Sequence, residues 1–184
     1  IYTRFPDDKC ARLSAMSHAI WMSATPATLL HPTMIYGAPG LNNIERIVQM
    51  ARVSPIIPLP DDGTSLIQPV LASDLVKAIR VCIDNHSSIG KTIVVPGKSP
   101  ITYRRFVELC IEFSGENCRV VSIPITLLSL LAPITGLLPG VPVITQHEVR
   151  RLTENKDFST EDLDNLRIEP VAPDVGLRSV IIKE

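Results

Sequence analysis

Large anchoring side chains are scarce in this chain of 184 residues. Only 4% of the residues are aromatic, and a single tryptophan is present. The 18 Lys and Arg residues do not exceed the 19 Asp and Glu residues, and the formal net charge is −1. A chain without a basic excess is a poor match for a nucleic-acid backbone, so no nucleic-acid partner is expected. The 45% of hydrophobic and 20% of charged residues are typical of a globular protein and argue against disorder.

Cysteines are few and carry no metal-binding pattern. Cys10, Cys82, Cys110 and Cys118 form no C-x-x-C pair, and no histidine lies near them at zinc spacing. We therefore predict no metal site and expect buried, reduced thiols, with Cys82 and Cys110 on apolar helix faces. Reduced thiols favour a cytoplasmic location.

The usual catalytic signatures are also missing. The sequence has no H-E-x-x-H, no G-x-S-x-G and no G-x-G-x-x-G. Gly90–Thr92 and Gly97–Ser99 resemble the end of a phosphate-binding loop, but Asn85 and Thr92 occupy the positions of the required upstream glycine. Both triplets therefore predict turns, as does Asp61–Gly63. No catalytic residue is assigned.

One long segment, 120–146, contains no charged residue. Four prolines interrupt it, and its longest stretch without Pro or Gly, Ile125–Ala132, is much shorter than the ~20 residues of a membrane-spanning helix. We expect 120–146 to be a lid or to make a protein or membrane-surface contact.

Hydrophobic periodicity predicts alternating helices and strands. The predicted strands are Ala27–Tyr36, Ile56–Pro60, Ser65–Leu71, Thr92–Val95 and Arg119–Ile123. Helices are predicted over Asp8–Ala24, Asn43–Val53 and Glu148–Asn155. A further helix is capped by Ser73 or Asp74 and has an apolar stripe of Leu75, Ile79, Cys82 and Ile83. Another is capped by Thr102 and ends at Gly115. This alternation predicts an α/β layered architecture.

The segment Leu30–Gly37, Leu-His-Pro-Thr-Met-Ile-Tyr-Gly, carries the most specific resemblance. It closely resembles the L-R-P-T-M-I-Y-G strand and loop of extended and atypical short-chain dehydrogenases/reductases, the NAD-dependent epimerase/dehydratase family. Other segments resemble that family in the same order: Asn43-Ile44, Pro58–Val70, Ser73–Ile79, Gly90–Phe106 and Ile168–Leu177.

The resemblance implies the C-terminal part of an NAD(P)-binding Rossmann-type fold with its smaller α/β substrate domain. Residues 1–40 would be the last helix and strand of the dinucleotide-binding domain, and 41–184 the smaller substrate-side domain with a C-terminal helix. The glycine-rich turn that holds the pyrophosphate would precede Ile1, so NAD or NADP would be bound mostly by upstream residues. The chain is therefore expected to be the C-terminal part of a longer protein.

Site residues follow from the same resemblance. It implies that Pro32, Thr33 and Met34 lie beside the nicotinamide, and that Tyr36, Asn43 and Gln68 lie on the substrate side. Structural roles are open alternatives for the last three, with Tyr36 ending a strand and Asn43 capping a helix. His31 stands where the family has Arg, and we interpret it as a structural residue at a strand end.

The catalytic Y-x-x-x-K pair of the family has no counterpart. Its two positions fall on Lys9 and Leu13, or on Phe5 and Lys9 after a four-residue shift, and Tyr2 is followed by Pro6 rather than Lys. Neither alignment provides the tyrosine that moves a proton in such enzymes.

Two functions are consistent with these observations. The first is an NAD(P)-binding epimerase/dehydratase-like oxidoreductase that acts on a sugar-nucleotide or similar substrate. The alternative is a non-catalytic NAD(P)-binding assembly subunit, similar to the atypical family members among the accessory subunits of the respiratory NADH dehydrogenase. A membrane-surface protein is a third hypothesis, supported only by 120–146.

Overall fold

The computed structural model describes residues 26–40, 43–124 and 155–182, together with Ile20 and Thr126. The helices predicted over Asp8–Ala24 and Glu148–Asn155 lie outside the described residues, except for Ile20 and Asn155. Most of the uncharged segment beyond Pro124 lies outside them as well. Within the described residues, no helix has the length and apolar character needed to cross a membrane.

Helices and strands alternate along the chain, and the predicted α/β class is confirmed. The strands are β1 (Leu29–Pro32), β2 (Ile35–Tyr36), β3 (Ile56–Pro60), β4 (Leu66–Ile67), β5 (Val70–Leu71), β6 (Thr92–Val95), β7 (Ile101–Thr102) and β8 (Arg119–Ile123). The helices are α1 (Asn43–Val53), α2 (Ala72–Asp84), α3 (Tyr103–Ser114), α4 (Glu161–Asn165) and α5 (Pro173–Ile181).

Three of the strand pairs are parallel. β1 pairs with β6, β2 with β5 and β3 with β8, whereas β4 and β7 are antiparallel. The predicted strand Ala27–Tyr36 is two strands, because the chain leaves the β1–β6 pair after Pro32 and pairs again only from Ile35, with β5. Ser65–Leu71 is likewise divided between β4 and β5.

Two apolar clusters form the core. The larger one joins α1, α3 and α5 to β3, and it includes Tyr36 and Leu177. The smaller one joins α2 and α4 to β6. On α1 the residues buried in the core are those that the periodicity predicts: Ile44, Ile47, Val48 and Ala51.

Helix α3 begins and ends as predicted. The Thr102 hydroxyl accepts a hydrogen bond from the Arg105 N–H at 3.1 Å, which satisfies one free donor of the first turn. Gly115 follows the last helical residue in the left-handed conformation, with φ 71°.

The predicted cap of α2 is wrong. The helix begins at Ala72, and the residue at its N-cap position is Leu71, whose side chain makes no capping bond. Asp74 lies in the first turn with a buried carboxylate, which accepts hydrogen bonds from the Val171 N–H and the Lys77 ammonium, each at 2.8 Å. These contacts turn the Asp74 side of the helix inward.

The predicted stripe of α2 is wrong in part. Asp74 and Ala78 are its buried residues, whereas Ile79 and Ile83 are exposed. Leu75 and Cys82 are half-buried and pack against the smaller cluster.

The predicted turns are confirmed. Asp61, Asp62 and Gly63 all have positive φ angles in a short 3-10 turn, and Gly90 has φ 78° just before β6. Positive φ suits Gly, Asn and Asp, which explains the composition of these turns.

Three of the four cysteines are described, and none of these three forms a disulfide. Cys110 is fully buried on α3, and burial raises the pKa of its thiol to about 12. Cys82 and Cys118 are only half-buried. Cys10 lies outside the described residues.

Candidate functional site at the carboxyl ends of β1 and β6

The carboxyl ends of β1 and β6 lie side by side, with Pro32 opposite Val95. The chain continues from them into two loops, one through Thr33 and Met34 and the other through Pro96 and Gly97. In parallel α/β sheets, ligands bind at this edge, because the loops there are free to vary around a fixed frame.

Thr33 links the first loop to β6 and to Gln68 through hydrogen bonds. Its N–H donates to the Val95 carbonyl at 3.2 Å, and its hydroxyl donates to the Gln68 carbonyl. The carbonyl of Met34 accepts from the Val70 N–H at 2.9 Å. The predicted cofactor-proximal residues therefore lie in one ordered loop.

Gln68 is buried beside this loop, with 2% of its surface exposed. Its amide nitrogen donates to the Gly97 carbonyl at 2.8 Å, and its amide oxygen accepts from the Phe158 N–H at 2.7 Å. Gln68 thus joins the loop after β1, the loop after β6 and the segment before α4. These protein contacts engage both ends of its amide, and a role toward substrate stays a prediction.

Gly97 is required by close packing. A Cβ atom at this position would lie 1.9 Å from the Pro69 carbonyl oxygen, so no other residue fits without a backbone shift. The loop after β6 is therefore pressed against the Gln68–Pro69 backbone. Sequence analysis identified Gly97 as a turn residue and missed this role. Its position two residues after the predicted strand Thr92–Val95 was the available signal.

Tyr36 lies in the larger core cluster rather than in an open cleft. Only 1% of its surface is exposed, and its hydroxyl has no hydrogen-bond partner among the residues that the structure describes. The hydroxyl faces α5, where a Cβ atom at Gly176 would lie 2.0 Å from it. Burial, and secondarily the nearby Asp74 and Asp174, raises the pKa of this phenol well above its usual range. Because the phenol is buried and neutral, we expect Tyr36 to contribute to stability mainly through packing.

Asn43 and His31 lie apart from the Gln68 contacts. Asn43 is exposed at the first residue of α1, whose following residues pack in the same cluster as Tyr36. His31 is half-buried on β1 opposite Val94, and burial lowers its pKa. The structure therefore brings Pro32, Thr33, Met34 and Gln68 together, and Met34 packs against the core cluster that contains Tyr36.

Comparison with known proteins gives a result only at the level of structure. No family model and no curated protein matches this sequence.

Solved structures match most of the chain. UDP-glucuronic acid 4-epimerase from Bacillus cereus, solved with UDP-glucuronic acid and NAD, has a TM-score of 0.61 at 16% identity, over 94% of this chain and 49% of its own. dTDP-4-dehydrorhamnose reductase from Bacillus anthracis, solved with NADP, has a TM-score of 0.67 at 12% identity, over 95% and 54%.

A third match is UDP-glucose 4-epimerase from Thermotoga maritima, solved with UDP-glucose, with a TM-score of 0.63 at 14% identity. It covers 94% of this chain and 50% of its own. The fold is of the Rossmann type. The chain spans about half the length of each of these proteins.

Proposed function

We propose that this chain is the substrate-side part of an NAD(P)-binding, epimerase/dehydratase-like oxidoreductase that acts on a sugar-nucleotide or similar substrate. The observation that carries the proposal is the ordered loop Pro32–Met34 at the carboxyl ends of a parallel strand pair. Ligands bind at that edge in folds of this type. The similarity to solved enzymes that hold NAD or NADP supports the same conclusion.

The dinucleotide would be shared between this chain and upstream residues. Two features support this arrangement. The chain spans about half the length of its structural neighbours, and no glycine-rich pyrophosphate turn occurs in the sequence. Residues 1–40 would then close the dinucleotide-binding domain, and 41–184 would form the substrate side.

The free edge of β1 supports a connection to such an upstream part. Backbone groups alternate in direction along a strand, so those of Leu30 and Pro32 point away from β6. Among the described residues β1 pairs with β6 alone, and parallel sheets of two strands are rarely stable in isolation. A further parallel strand would pair at this edge.

In the proposed enzyme the nicotinamide supplies or accepts a hydride, and the residues of this chain position it. Pro32, Thr33 and Met34 would contact the ring, and Gln68 would hold their loop in place. Tyr36 and Asn43 would lie on the substrate side, Tyr36 beneath the surface and Asn43 at the start of α1.

Nuclear magnetic resonance provides the test. We expect titration of NADH and NADPH into the 15N-labelled product of the complete open reading frame that encodes this chain to shift the amide signals of Thr33, Met34, Gly97 and Lys98. The signals of Gly115 and Glu116, which follow α3, are the internal control and should not move. The same titration on the 184-residue chain should give weaker binding at the same amides. Failure of the complete product to bind either dinucleotide would reject the proposal.

A non-catalytic, NAD(P)-binding assembly subunit is the second candidate. The absence of the Y-x-x-x-K pair from its aligned positions favours it. Turnover separates the two candidates. An enzyme should oxidise NADPH or NADH with a keto-sugar nucleotide, whereas an assembly subunit should bind the dinucleotide and consume none.

The proposal also includes the cellular location of the protein and the contacts of the uncharged segment 120–146. The cysteine pattern favours a cytoplasmic protein. A protein or membrane-surface contact through 120–146 would suit the assembly candidate. Liposome flotation tests the membrane contact.

A further inference from the structure

A cleft of about 510 Å³ opens next to the loop that follows β6. Lys98, Thr160 and Arg167 line it, with Thr160 directly before α4 and Arg167 two residues after the last residue of that helix. Ile168 and Pro170 line it with buried apolar surface, and Glu169 stands between them. Polar groups around an apolar floor are typical of small-molecule sites.

The cations of this cleft are available to a ligand. Arg167 is exposed, and its guanidinium makes no hydrogen bond or ion pair within the described part of the chain. Lys98 pairs with Glu169 at 2.7 Å, but 47% of the Lys98 side chain and 82% of the Glu169 side chain are exposed. Exposed ion pairs contribute little to stability, so a bound anion can replace Glu169 at small cost.

The walls of the cleft are held by a buried group. Gln68 bonds to the carbonyl of Gly97, which precedes Lys98, and to the N–H of Phe158, two residues before Thr160. One buried amide therefore holds the backbone next to Lys98 to the segment that leads into Thr160. A backbone held in this way reduces the cost of ordering the charged side chains when a ligand binds.

We propose that this cleft binds the phosphate or carboxylate group of a small hydroxylated ligand, between Lys98 and Arg167. Arg167 offers the planar, two-pronged donor geometry that suits both oxyanions, and Lys98 adds a second positive charge. Asp164, which also lines the cleft, supplies a carboxylate that can accept from a ligand hydroxyl. The proposal rests on the proposed function, because it assigns an anionic group to the substrate.

The test uses inorganic phosphate and acetate as separate probes on the 15N-labelled product of the complete open reading frame that encodes this chain. We expect saturable shifts of the Lys98, Thr160 and Arg167 amide signals with at least one of the two anions. The double variant Lys98→Met/Arg167→Met should weaken that binding at least tenfold. The matched control, Lys91→Met/Arg178→Met, removes the same charge from exposed positions outside the cleft and should leave the dissociation constant unchanged.

Each outcome decides the proposal. Binding of phosphate alone, acetate alone or both supports it and identifies the anion. Shifts that do not saturate, or that weaken equally in the two double variants, show only general counter-ion effects and overturn it. The readout needs no dinucleotide, so it can fail while the NADH and NADPH titrations succeed, and the reverse also holds.

Discussion

At the residue scale, Gln68 is a buried polar side chain whose amide joins two segments that are distant in sequence. It lies in the short link between β4 and β5, and its amide reaches the loop after β6 and the segment before α4. A buried amide is tolerated only when its hydrogen bonds are made, because an unpaired polar group in the core is costly.

Replacement of Gln68 by Leu should therefore be destabilising. It leaves the Gly97 carbonyl and the Phe158 N–H without partners, and we expect the free energy of unfolding to fall by about 1–3 kcal/mol. Urea unfolding measures the change. Gln49→Leu, at an exposed position of α1, is the control and should change stability by less than about 0.5 kcal/mol. Equal effects of the two variants would contradict the role assigned to Gln68.

His31 gives a pH-dependent prediction. Burial lowers its pKa in the folded chain below the ordinary value of 6.5, so the unfolded chain binds a proton first as the pH falls. The contribution of His31 to stability is therefore present at pH 7 and is lost progressively below pH 6.5. We expect His31→Gln to lose less stability than the parent chain between pH 7 and pH 5, as measured by urea unfolding at both values. A parallel decline in both proteins would show that His31 has no part in it.

At the element scale, two helices that look alike in sequence begin differently. Thr102 and Ser73 both precede apolar helical segments, and both residue types favour N-cap positions. Only Thr102 caps a helix, because α2 already starts at Ala72 after an extended Leu71. The sequence pattern predicts both helices and places the start of α2 two or three residues too late, and helix ends are where such patterns are least precise.

The two hydroxyl residues should respond differently to alanine. Thr102→Ala removes the bond to the Arg105 N–H and should lower the free energy of unfolding by about 1 kcal/mol. Ser73→Ala removes no described cap and places a better helix former on an exposed site, so stability should be unchanged or slightly higher. Thermal and urea unfolding of both variants provide the measurement. A loss of equal size in Ser73→Ala would mean that Ser73 caps α2 after all.

The contact between α5 and β2 requires a glycine at position 176. Gly176 leaves room for the Tyr36 hydroxyl, which a Cβ atom would approach to 2.0 Å. Gly176→Ala should destabilise the chain by about 1–3 kcal/mol, because the ring or the helix must shift.

Tyr36→Phe tests the cause of that loss. It removes a hydroxyl that has no partner within the described part of the chain, and it should cost little by itself. Combined with Gly176→Ala it should restore part of the lost stability, since the nearest remaining ring atom lies 3.0 Å from the Cβ position. Additive effects in this double-mutant cycle would exclude the clash as the cause.

At the scale of the whole molecule, the smaller cluster is assembled from distant parts of the chain. β1 pairs with a strand that follows it by about 60 residues, and the outer edge of β6 is closed by Asp162, whose carboxylate accepts from the Val94 N–H at 2.8 Å. Asp74 ties α2 to the segment before α5 in the same way. Each of these contacts joins residues that no local pattern relates.

Much of the architecture was predictable from local chemistry. Helical spacing of apolar residues located the buried face of α1, and Thr102 with Gly115 located both ends of α3. Short extended segments located β3, β6 and β8, and the turn residues after β3 and β6 marked the ends of those two strands. The loop Pro32–Met34 was predicted as a site from a family resemblance, and its position at a strand's carboxyl end agrees with a binding edge.

Strand pairing and the burial of polar side chains could not be predicted from the sequence alone. The exposed Ile83 and the buried Asp74 reverse the expectation for α2, because the segment before α5 provides a partner for a carboxylate and nothing described covers the isoleucine. Gln68 is buried for the same reason, because the Gly97 carbonyl and the Phe158 N–H provide partners for its amide. Local composition therefore determined the helices, the turns and the α/β class, through forces that act within a few residues. Only the tertiary structure decided which strands pair and which polar groups are buried, because those choices depend on partners distant in sequence.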